Sequence, residues 1–179
     1  LEVCRLIRAA VPGSWFAVES LEGIALEAGF VERHPVPDGA ARGPIETILT
    51  RPAVKLLARH EELDPLAYWT LAAEAVGDRA EITWSSDTTL LEISAPGVTK
   101  ASTLALVCGE LGVAAADVLA FGDMPNDLAM LRWAGTSYAM ANAHPSVLDA
   151  ADAVAPTNDE DGVAVTLEAI FELETPPPG

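Results

Sequence analysis

Two carboxylates and a carboxamide, Asp123, Asn126 and Asp127, crowd into five positions directly after the apolar run Val118-Leu-Ala-Phe121. Oxygen donors at that density suit a hard cation such as magnesium. The run itself has the character of a buried strand in a parallel sheet, whereas residues 126–134 read as a helix with apolar positions at Leu128, Met130, Leu131 and Trp133. Pro125 fits the first turn of that helix. The acids therefore stand where strand becomes helix, the edge at which open α/β sheets bind ligands. A plainer chemistry is also available: Asp123 as a helix N-cap and Asp127 as an acid favoured by the helix dipole.

A second group bears on the choice. The pattern predicts a helix from about Val98 to Leu111, which puts Lys100 in its first turn. A cation there opposes the helix dipole by about 0.3 to 1 kcal/mol. An anion bound beside it removes that cost. A solvated lysine is the alternative, and it loses ground once Lys100 is considered together with the acid cluster that opens the next strand-to-helix turn.

From Ser94 to about Ile170 the chain resembles the Cof-type branch of the haloacid dehalogenase (HAD) phosphohydrolases. The resemblance is carried by Pro96-Gly-Val-Thr-Lys100, Phe121-Gly-Asp-Met-Pro-Asn-Asp-Leu-Ala-Met-Leu131, Tyr138-Ala-Met-Ala-Asn-Ala143, Ala151-Asp152 and Asn158-Asp-Glu-Asp-Gly-Val163, in family order and spacing. It implies an α/β fold: part of a HAD Rossmann-like core with a parallel sheet, joined to an α+β cap domain. It also implies phosphoryl transfer to an aspartate nucleophile and then to water, with Mg2+ as cofactor and a small phosphorylated metabolite as substrate. On that resemblance Lys100 and Asp127 are catalytic residues, Lys100 neutralising phosphate and nucleophile charge. Asp123 is the acidic metal ligand, and Asn126 and Asp127 complete the site. Asn142 lies close to the catalytic edge, beside the residues that do the chemistry. A transferring phosphoryl group spreads negative charge over its oxygens, so fixed cations are what the reaction needs.

The family's aspartyl nucleophile stands in an Asp-x-Asp after an early strand, and no such motif occurs early in this chain. Asp117 precedes its strand, Asp64 opens a predicted helix, and Asp159 and Asp161 flank a late loop. The chain opens with helical periodicity already under way, at Val3, Leu6, Ile7 and Ala10, stopped by Pro12-Gly13. The expectation is a C-terminal portion of a longer phosphatase, inactive by itself. Two alternatives stay open: a phosphosugar mutase with the same core, and a non-catalytic binding module with a degenerate site.

Ten basic residues against 27 acidic ones give a formal charge of −17, which repels nucleic acid and anionic membrane surfaces. An anionic substrate meets the same repulsion and needs local positive groups to overcome it. Hydrophobic residues make up 50% of the 179, enough for a real core, and no apolar run approaches membrane length. Cys4 and Cys108 form no metal or redox spacing, so they read as buried thiols in a reducing, cytoplasmic compartment. Oligomeric state has no signature in the chain.

The organisation expected is an α+β cap over 1–95, the second half of the core over 96–173, and a disordered tail over 174–179, where Thr175-Pro-Pro-Pro cannot extend a helix. In the cap, strands are predicted over 14–18 and 53–58, a helix over 65–76, and a hairpin over 81–94 turning at Ser86-Asp87. Residues 29–50 read as a long loop, solvated or, through Arg33 or His34, involved in substrate choice. Lys55 either faces a site or occupies an exposed edge strand. Trp15, Trp69, Trp84 and Trp133 read as core. His144 reads as an exposed turn residue, and residues 157–162 as a turn before a helix over 163–173 rather than a calcium loop.

Overall fold

The computed structural model describes residues 1–33, 35–84 and 89–172, which divide into two compact units between Val98 and Thr99. The expected turn at Ser86-Asp87, His34 and the tail from 174 lie outside the described residues. No described helix is long and apolar enough to cross a membrane.

In the first unit, α1 (Glu2–Ala10) buries Cys4 and Ile7 from one face. It is followed by β1 (Trp15–Ser20), β2 (Gly23–Leu26), β3 (Ala41–Arg42), α2 (Ile45–Ile48), β4 (Lys55–Arg59), α3 (Pro65–Val76), β5 (Glu81–Thr83) and β6 (Leu90–Ser94). The strands form one sheet in the order β3-β2-β1-β4-β6-β5, antiparallel except where β3 joins β2. Period-two alternation decides what each face holds. Phe16, Val18, Ala58, Leu91 and Ile93 pack in one cluster with Cys4 and Ile7 of α1 and Tyr68, Ala72 and Val76 of α3. Ala17, Leu26 and Leu57 point the other way and meet Phe30 and Val36 from the following loop.

Asp64 caps α3 by accepting from the amides of Leu66 and Ala67, and Pro65 opens the helix. Glu27 ties the loop to the sheet, because its buried carboxylate accepts from the amides of Phe16 and Ile45, each at 3.0 Å, and from Arg8. The segment 29–50 is thus less of a loop than its composition suggests: it contains β3 and the one-turn helix α2, and β2 precedes it. β4 is an interior strand, so the exposed-edge explanation of Lys55 fails; its ammonium pairs with Glu92 on β6 at 2.5 Å. Trp69 and Trp84 pack against the core, but Trp15 is 41% exposed, its ring lying over Gly29, where no side chain is present to interfere.

The second unit runs α4 (Lys100–Leu111), β7 (Leu119–Gly122), α5 (Leu128–Trp133), β8 (Thr136–Met140), α6 (Pro145–Leu148), β9 (Ala153–Ala155) and α7 (Gly162–Phe171). Its sheet is parallel, in the order β7-β8-β9, with Phe121 beside Tyr138 and Tyr138 beside Ala153. Helical crossovers between parallel strands bring all three carboxyl ends to one edge. Ala120, Leu131, Ala139 and Val147 are buried together as its core. Cys108 is buried on α4 and Cys4 in the first unit, and both are free thiols.

Candidate functional site

The carboxyl end of β7 is built so that a buried carboxylate can sit against its last residue. A Cβ at Gly122 would lie 2.6 Å from Cβ of Asp127 and 3.1 Å from Leu131, so only glycine permits that approach. After Gly122 the chain turns through Asp123 and Met124 into a single 3-10 turn, Pro125–Asp127, which leads directly into α5. The helix expected from Asn126 therefore begins two residues later, the intervening turn being held by side-chain bonds.

Asp127 holds it. Its side chain is 5% exposed; Oδ2 accepts from the amides of Asp123 at 3.1 Å and Met124 at 3.2 Å, and Oδ1 meets Nζ of Lys100 at 2.5 Å. Lys100 is the first residue of α4, whose N-terminus is closed by a reciprocal cap between Thr99 and Ser102. The cation that opposes the α4 dipole is thus placed by a carboxylate 27 residues away in sequence. Half of the lysine side chain remains exposed, so its ammonium can meet a second anion.

With its own amide pinned to Asp127, Asp123 turns an exposed carboxylate outward from the strand end. The N-cap explanation of Asp123 finds no support, since no side chain caps α5 and Asp123 contributes instead its carbonyl, which accepts from the amide of His144 at 2.8 Å. Asn126 carries the most telling atom of the turn: Oδ1 is buried and has no hydrogen-bond partner. A buried acceptor without a donor costs about 1 to 3 kcal/mol. Such an oxygen, three residues along the same turn from the exposed Asp123, fits a hard cation, which satisfies acceptors that no N–H reaches. The described residues assemble no cluster of three His, Cys, Asp or Glu, so Asp123 and Asn126 would supply only part of a six-oxygen shell.

The ends of β8 and β9 complete the edge. Asn142, just after β8, donates from Nδ2 to Oδ1 of Asn158 at 2.6 Å and accepts from the Asn158 amide at 3.3 Å. Asn142 thus acts on the site through Asn158, which lines a cavity of about 330 Å³ with Lys100, Asp123, Asp127, Met140 and Val163. Asn158 opens the last of the motifs that carry the family resemblance, yet the sequence reading gives it no role of its own and takes its segment as a turn; its place after a third parallel strand is the further signal. Gly162 seals the turn, because a Cβ there would come within 2.0 Å of the Pro156 carbonyl oxygen. His144 caps α6, its Nδ1 accepting from the Ser146 amide at 3.3 Å, and is partly buried rather than exposed.

Residues 41–167 match the family model of haloacid dehalogenase-like hydrolases. Over 84 residues the chain is 48% identical to the 5-amino-6-(5-phospho-D-ribitylamino)uracil phosphatase YcsE of Bacillus subtilis, a stretch that is 47% of this chain and 33% of that protein. The solved structure of SMU.1108c from Streptococcus mutans superposes with a TM-score of 0.82 at 25% identity, covering 96% of this chain and 66% of that one. The subclass IIB sugar phosphatase BT4131 has the same fold, with a TM-score of 0.78 at 19% identity over 96% of this chain and 67% of that one. The chain thus spans a third of its curated relative and about two thirds of its solved neighbours.

Proposed function

This chain belongs to the haloacid dehalogenase-like hydrolases, and on that premise we propose that the complete protein is a magnesium-dependent phosphomonoester hydrolase acting on a small phosphorylated metabolite. The observation that carries the reading is the Lys100–Asp127 pair at the carboxyl edge of β7, lining one cavity with the exposed Asp123, on the turn that also holds the orphaned oxygen of Asn126. The first unit then serves as the cap and the second as the later half of the catalytic core, divided at Val98.

In this reading Asp127 is spent on positioning. Both of its oxygens are engaged, one keeping the Lys100 ammonium at the edge and the other closing the turn that presents Asp123. Lys100 supplies a fixed positive charge to the phosphoryl oxygens, with no reorganisation needed as charge redistributes. Asp123 and Asn126 would hold the magnesium ion, which when bound polarises a phosphoryl oxygen. Asn142 keeps Asn158 at the rim of the cavity. The nucleophilic aspartate is supplied from outside these 179 residues, so this polypeptide alone is expected to be inactive. The substrate class follows the relatives' names, a sugar phosphate or a phosphorylated ribityl pyrimidine.

The test is phosphate release from such esters by the protein of the full reading frame. Lys100→Met is expected to lower kcat by about 10² to 10³-fold, the scale of losing one preorganised electrostatic group. Asp123→Ala is expected to abolish the rise in Tm that magnesium produces, a readout independent of turnover. Undiminished turnover in Lys100→Met would remove the assignment, and a reading frame without an upstream Asp-x-Asp would favour the binding module.

A further inference from the structure

The face of the first unit's sheet that does not meet α1 and α3 borders a cavity of about 740 Å³. Its floor includes Lys55, Leu57 and Arg59 of β4, alternating with the residues that pack against the helices, and its wall includes Phe30 and Arg33. The cavity has apolar surface from Leu26, Phe30, Leu57 and Leu90, yet three cations border it.

Two of those cations are neutralised. Lys55 pairs with Glu92 at 2.5 Å and Arg33 with Glu61 at 3.2 Å. Arg59 is different: the residue is 3% exposed, and its Nε and Nη1 have no hydrogen-bond partner. Its charge lies over the ring of Phe30, whose centroid is 5.6 Å from Cζ. Burial pushes the guanidinium below its usual range and the nearby Arg33 pushes the same way, with Glu61 offsetting only part of the shift. A guanidinium offers a planar fork of donors matched to an oxyanion, and one left buried without acceptors is costly to the free protein.

We propose that this cavity is a binding site for the oxyanion of an apolar small molecule, carboxylate or phosphate, with the Arg59 guanidinium as the anion's partner and Phe30 and Leu57 contacting its apolar body. The site is formed by the first unit alone and does not rest on the phosphatase reading. The anion supplies the acceptors that Arg59 lacks, and the apolar wall excludes water from the pair, which strengthens it. Glu19, Glu32 and Glu92 also line the cavity, so a dianion of large span is disfavoured against a compact group seated at the Arg59 end.

The test uses 3-phenylpropanoate and its neutral counterpart 3-phenylpropanol as probes on the complete protein in EDTA. Binding is followed by calorimetry and by the Arg59 Nε–H resonance. Saturable binding of the carboxylate is expected to move that resonance, with the alcohol binding at least about tenfold more weakly. Arg59→Met is expected to lose the preference for the carboxylate, and Lys100→Met to keep it. Equal binding of the two probes to the unmutated protein, or no shift of the Arg59 resonance at saturation, overturns the proposal whether or not Arg59→Met folds. A saturable shift retained in Lys100→Met and distinguished from the alcohol supports it.

Discussion

Replacing Asp127 by alanine and by asparagine separates the two jobs that its carboxylate performs. Alanine removes all three contacts: Lys100 Nζ at 2.5 Å and the amides of Asp123 and Met124 at 3.1 and 3.2 Å. Hydrogen bonds to a charged acceptor contribute about 1.5 to 3 kcal/mol each, and both amides face a buried carboxylate. The ion pair adds less, about 1 kcal/mol, because the lysine side chain is 50% exposed and solvent screens it. Since the turn can relax and admit water, the expected loss for Asp127→Ala is about 3 to 5 kcal/mol. Asparagine keeps one oxygen for the two amides and turns an NH2 toward Lys100, whose ammonium swings into solvent. Asp127→Asn is therefore expected to cost only about 1 to 2 kcal/mol.

Urea unfolding with linear extrapolation gives the global values. Hydrogen exchange at Asp123 and Met124 gives the local ones: alanine is expected to speed both amides by about 100-fold or more, asparagine by about tenfold at most. Equal effects of the two substitutions on both amides would refute the division of labour. It would mean that charge on Asp127, and not the geometry of its oxygens, closes the turn.

Two further outcomes follow from the same edge. Gly122→Ala places a Cβ 2.6 Å from Asp127 Cβ and is expected to destabilise by about 1 to 3 kcal/mol, with Asp123 and Met124 amides exchanging faster, measured as above. The Asp152 carboxyl is held below its usual range by the hydroxyl and then the amide of Ser137, which donate to it at 2.8 and 2.9 Å, and Glu160 is lowered likewise by Thr157. Because the folded values lie below the unfolded ones, this stability is complete above about pH 5 and is lost as the pH falls through the folded values. Asp152→Asn is expected to flatten the acid limb of a stability-versus-pH curve below about pH 4 while leaving its neutral slope unchanged.

Much of the second unit is legible in its sequence, because the information there is local. An apolar run ending in Gly-Asp and a helical pattern from about Val98 to Leu111 are each local, and β7 and α4 form where those patterns stand, α4 starting two residues later at Lys100 behind a cap at Thr99. The first unit is harder. Residues 29–50 are rich in proline, glycine and charge, yet they contain β3 and α2, because Glu27 bonds the Ile45 amide and β3 pairs with β2. Those are contacts between distant positions, to which composition is blind. Lys55 is ambiguous for the same reason: strand order, which no single strand encodes, makes β4 interior.

The sequence by itself determined the chemistry available at the site, a lysine and three oxygen-bearing side chains at the ends of predictable elements, and the family to which they belong. Only the tertiary structure decided how they are used. Parallel register brought Asn158 to the edge occupied by Asp123 and Asn142, Gly122 admitted the Asp127 carboxylate, and that carboxylate joined Lys100 across 27 residues. The same holds for Arg59, an ordinary strand residue until alternation turned it to the cavity face and burial left its Nε and Nη1 without acceptors. Periodicity tells which way a side chain points, but what it meets there depends on chain segments that periodicity does not relate.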